Sequence, residues 1–101
     1  MWDKELTMKS WALKWLEGSL ISFVRGSTHL NLVIGRIEKC IKSYGVKVDE
    51  VKAMIEAIEQ NPAYLPTLPA EEKIARLKPM KDVLERMRRG EWASWKESLL
   101  P

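Results

Sequence analysis

At 101 residues the chain can bury one modest core, and with 46% apolar and 31% charged residues it reads as a folded domain rather than a disordered one. A net charge of +3 permits contact with nucleic acid without demanding it. A single cysteine excludes an internal disulfide and a cysteine zinc cluster, and no run of the ~20 apolar residues needed to cross a bilayer is present.

Asp3 and Glu5 interrupt the N-terminus, which lacks the unbroken apolar run of a signal peptide, so an intracellular, cytoplasmic protein is expected. Glu and Lys are abundant while Asn and Gln are scarce, a composition that leans toward a thermophile.

The first element spans residues 2–25. At about 100° per residue, Leu6, Leu13, Leu20 and Val24 fall on one line, with Leu16 and Phe23 beside it. Met8, Trp11, Ala12 and Trp15 form a second line. The two together cover roughly 220° of the circumference, about twice the stripe of an ordinary surface helix. Such a helix has to be covered on two sides. Three covers are open: a core of its own chain, a second polypeptide, or a membrane surface. The last is disfavoured because the polar back is not clearly cationic. Gly26-Ser27-Thr28 ends the helix, and Ser27 or Thr28 is placed to cap the next one.

The second helix spans 29–44, with Leu30, Val33, Ile34, Ile37, Cys40, Ile41 and Tyr44 on one face, Leu32 off it, and Gly45 as its stop. The third spans 49–60. It opens on Asp49, faces Val51, Met54, Ile55 and Ile58 inward, and stops at Asn61-Pro62. Residues 61–69 form a proline-stiffened loop whose Tyr64, Leu65 and Leu68 should lie against the core. Pro69-Ala70-Glu71-Glu72 opens a fourth helix with Ile74 and Leu77 inward. Pro79 lacks a backbone donor, so the spacing predicts pieces at 70–77 and 79–89, roughly in line, with a kink or break near Lys78-Pro79. A final short helix, 91–100, would carry Trp92, Trp95 and Leu99 on one side. Neither a repeat nor a low-complexity tract is present. The fold class expected over 1–101 is therefore a single all-α domain of four to five helices, bundle-like or orthogonal.

The chemistry is defined mostly by what is missing. His29 is the one histidine and stands at a helix start. The sequence holds no glycine-rich phosphate loop, no cysteine–histidine pair with support and no metal-ligand cluster. Glu71 and Glu72 are adjacent and point to different sides of a helix. The expectation is a protein that is not an enzyme and uses no cofactor and no metal. Ile37–Glu56 has the outline of a helix-turn-helix, but Ile41 is bulky where the helices would cross, and Asp49, Glu50, Glu56 and Glu59 would repel phosphate. A better basic patch is Arg76, Lys78, Lys81, Arg88 and Arg89, next to Trp92 and Trp95, in the pattern of a phosphate backbone plus a stacked base. Against it stands a solvated charged face built from i, i+4 pairs.

The favoured reading is a small interaction protein, an accessory subunit or small regulator, that self-associates and docks on a macromolecular partner. A homodimer is expected through Met8, Trp11 and Trp15, joined by Trp92 and Trp95. The alternative is nucleic-acid binding through residues 76–89.

Overall fold

Four α-helices make up the computed structural model, which describes residues 4–90, with side chains from Met8 onward. They are α1 (Lys4–Val24), α2 (Leu30–Ser43), α3 (Val48–Gln60) and α4 (Ala70–Arg88). Among the described residues there is no strand, so the all-α class holds. The expected helix over 91–100, with Trp92 and Trp95, lies outside the described residues.

α2 forms where its apolar residues recur at helical spacing. Val33, Ile34, Ile37 and Cys40 are buried, while Leu30, Ile41 and Tyr44 are partly buried against the same core. It ends because Gly45, at φ 71°, adopts the left-handed conformation that a Cβ resists. The Tyr44 and Val46 N–H groups both donate to the Cys40 carbonyl, at 3.0 and 3.2 Å. Val46 then tucks into the core at 2% exposure. α1 stops the same way at Gly26, φ 85°, where the Ser27 N–H reaches back to the Ser22 carbonyl at 2.9 Å. The start of α2 differs from the expectation that Ser27 or Thr28 would cap it. His29 holds the N-cap position, and no side chain caps the helix.

α3 begins one residue earlier than Asp49. The Glu50 carboxylate accepts a hydrogen bond from the Lys47 backbone N–H at 3.1 Å and pairs with Lys9 Nζ at 2.9 Å. The lysine's hydrogen bond, above all, holds the Glu50 carboxyl below the ordinary glutamate range.

α4 departs furthest from the sequence expectation. The two pieces expected around Lys78-Pro79 are one helix without interruption, and Pro79 lies inside it. Pro79 cannot donate to the carbonyl of Ala75, but both residues are exposed, so water can take the missing donor's place. The inward line is Lys73, Leu77, Met80, Leu84 and Met87, with Val83 beside it. Ile74, expected to face inward, is instead 40% exposed.

Lys73 is only 1% exposed. Its Nζ donates to the Ile58 carbonyl at 3.2 Å, to the Asn61 carbonyl at 3.1 Å, and to the Tyr64 carbonyl. The last turn of a helix leaves carbonyls without intrahelical donors and carries partial negative charge. One ammonium therefore closes the end of α3 and pins the 61–69 loop. That loop lies against the core through Tyr64, Leu65 and Leu68, as its composition predicts.

The core is one cluster, with Ala12, Leu16, Leu20 and Val24 of α1 fully buried at its centre. α3 packs most extensively on α4, and α1 on α2. Arg76 of α4 donates to the Val24 carbonyl at 2.6 Å, capping the end of α1. The opposite end gathers the start of α1, the end of α2, the start of α3 and the end of α4. It is tied by Lys9–Glu50 at 2.9 Å, Arg88–Asp49 at 3.7 Å and the Trp11–Tyr44 ring contact. Cys40 is buried, and desolvation raises its thiol pKa. No described helix is long and apolar enough to cross a membrane.

Candidate interaction surface

The wide apolar arc of α1 is divided by the fold. Ala12, Leu16, Leu20 and Val24 face the core, and Leu13 and Phe23 pack against it. The outer line is left uncovered: Met8 is 44% exposed and Trp11 52%, while Trp15 is half-buried. Spacing of three and four residues carries that line on through Gly18 and Ser22.

The aromatic rings are organised. Trp11 stacks on Trp15 with centroids 5.2 Å apart and planes at 24°. The Tyr44 ring meets Trp11 edge-on at 6.0 Å. From α2, the Arg36 guanidinium lies over the Trp15 ring, 5.2 Å from its centroid, and Arg36 Nη1 donates to Ser19 Oγ at 2.9 Å. The Ser19 hydroxyl in turn donates to the Trp15 carbonyl at 2.8 Å and is itself buried. Arg36 is thereby held in one orientation by a ring and a hydroxyl, which lowers the entropy it would lose on meeting a partner. Neither indole N–H makes a hydrogen bond among the described residues. One α-turn before Arg36, Leu32 is 49% exposed. Aromatic rings, an ordered arginine and unengaged N–H donors on an exposed apolar face are the chemistry that dominates protein interfaces.

Of the five residues expected to define this surface, Met8, Trp11 and Trp15 fall together, and Trp92 and Trp95 lie outside the described residues. Sequence reasoning missed two members. Tyr44 reads as a core position and Arg36 as a solvated one. Their signal is a cross-helix pairing, which helical periodicity does not contain.

The basic patch is drawn largely into the fold's own ion pairs. Arg76 caps α1 and pairs with Glu72 at 2.9 Å. Lys81 donates to Glu59 Oε1 at 2.7 Å. Arg88 contacts Asp49 at 3.7 Å and Glu85 at 3.9 Å. Arg89 is engaged as well, and Lys78 is exposed. Glu59 is 3% exposed, and its second oxygen, Oε2, has no hydrogen-bond partner. Among the described residues no group of three or more His, Cys, Asp or Glu side chains is gathered so as to hold a metal ion.

The chain matches no family model, no curated protein and no solved structure.

Proposed function

We propose that this protein is a non-enzymatic helical interaction module, an accessory subunit or small regulator, whose outer α1–α2 face is covered in use by another polypeptide. The observation that carries this reading is Trp11. A tryptophan 52% exposed, stacked on a second indole and backed by Tyr44, forgoes the burial that large aromatic rings normally gain in folding. The basic patch of α4 supports nucleic-acid binding less well, because Arg76, Lys81 and Arg88 already serve other elements.

A second copy of the chain is a partner always at hand, and the same face would bring two copies together. Sedimentation velocity over a wide concentration range reads this directly. The mass of the wild-type chain should rise with concentration, and that of Trp11→Ser should not, with the helical circular dichroism of the two unchanged. A monomer at every concentration removes the homodimer from the proposal and leaves docking on a different polypeptide.

A further inference from the structure

Charge on the α1–α2 face narrows the identity of its partner, and the inference rests on reading that face as a docking surface. Residues 8–44 contain six lysines and arginines and only two carboxylates, Glu17 and Glu38. Both carboxylates are engaged elsewhere. Glu17 accepts a hydrogen bond from the Tyr64 hydroxyl at 3.3 Å, and Glu38 pairs with Lys42 at 3.1 Å.

The cations lie differently. Arg36 sits at the centre of the face over Trp15. Lys14, three residues after Trp11, and Lys39, three after Arg36, are exposed, and no ion pair engages either among the described residues. They border the apolar line from its two helices. The acids gather on α3 instead, in Asp49, Glu50, Glu56 and Glu59.

We infer that this face takes an amphipathic helical segment of a protein partner, one whose apolar ridge is flanked by carboxylates. The ridge covers Met8, Trp11 and Leu32, and the carboxylates meet Lys14 and Lys39. Gly18 leaves room for close approach on the same line, since a Cβ built there meets nothing within 4 Å. A second copy can take the same face only more weakly, as self-association at high concentration, because it sets Lys14, Arg36 and Lys39 against their own kind, and like charges across an interface oppose it. Nucleic acid would satisfy the cations but leave Met8 and Leu32 uncovered.

The test uses three fluorescent synthetic peptides of about 18 residues, five turns of helix. They share one Leu/Phe ridge and differ only in flanks of Glu, Gln or Lys. A fluorescent oligothymidine is the fourth probe, and anisotropy with the full chain is the readout. The expected order of affinity is Glu over Gln over Lys. Trp11→Ser should weaken the Glu peptide roughly 30-fold, as expected of an aromatic anchor. The double variant Lys14→Glu/Lys39→Glu should weaken it about tenfold and invert the order of the peptides. Salt should weaken the Glu peptide and strengthen any self-association, because screening acts on attraction in one and repulsion in the other.

Equal binding of all three peptides, lost in Trp11→Ser, overturns the acidic partner while leaving the docking surface standing. Failure of every peptide overturns it too. So does oligothymidine binding that outcompetes the Glu peptide, or tight self-association unaffected by salt. All three substituted residues are exposed or half-exposed, so circular dichroism and unfolding midpoints should match wild type and separate lost binding from lost folding.

Discussion

Replacing Lys73 with methionine removes the ammonium that closes α3 and keeps most of the side chain's length. Three acceptors lose their donor, and the losses are unequal. The Ile58 carbonyl is buried, whereas the Asn61 and Tyr64 carbonyls belong to a surface loop that water can reach more readily. A hydrogen bond to a charged group contributes about 1.5–3 kcal/mol. One such bond lost in full and two lost in part, offset by the desolvation cost the buried ammonium no longer bears, leave a net loss of about 2–4 kcal/mol. For a domain of this size that lowers the melting temperature by roughly 10–20 °C. Urea unfolding followed by far-ultraviolet circular dichroism measures the free energy. The exposed neighbour Lys78→Met serves as control and should stay within about 0.5 kcal/mol of wild type. Lys73→Met as stable as that control would refute the account. It would mean that burying the charge costs as much as its three bonds return, as replacements of buried ions by apolar side chains sometimes show.

Three further outcomes follow from the packing. Leu77→Ala should cost about 2–5 kcal/mol in urea unfolding and Ile74→Ala under about 0.5 kcal/mol, because Leu77 is fully buried and Ile74 is 40% exposed; the reverse order would mean that α4 is turned differently about its axis. Gly18→Ala should raise stability by about 0.5–1 kcal/mol, since the helical glycine has open space at its Cβ and alanine restricts the unfolded chain; a loss would show that the position is constrained within the folded chain. The Lys9–Glu50 pair should contribute stability above the ordinary glutamate pKa and lose it as pH falls through the depressed folded value. Comparing acid unfolding of wild type and Glu50→Gln reads that difference, which should vanish once Glu50 of the wild type is protonated; an unchanged difference at low pH would assign the effect to packing instead.

Periodicity alone located α2 and α3 and the apolar residues of their buried faces, because both are amphipathic helices with one apolar side; it set Glu59 outward with the other acids of α3, whereas Glu59 is buried and paired with Lys81. It also found the excess width of α1 and the exposed half of its second line. It could not pair Trp11 with Tyr44 or Trp15 with Arg36, since those contacts depend on how two helices cross. On α4 the line through Leu77, Met80, Leu84 and Met87 extends backward to residue 73 or 74 with equal ease, by a step of four or three. Hydrophobicity chooses Ile74. The structure chooses Lys73, because the end of α3 requires a donor more than the core requires another isoleucine. Pro79 reads as a boundary because a missing N–H is costly inside a helix; here Pro79 and Ala75, the residue whose carbonyl loses that donor, both lie on the exposed side of α4.

Cys40 gives the molecule a reporter of its own. It is the sole thiol, it sits on the inner side of α2 at the heart of the cluster, and burial keeps it in its unreactive protonated form. A thiol-specific dye added to the native chain can react only when that interior opens. The rate of labelling therefore clocks excursions of the core, in the wild-type sequence, without an engineered probe.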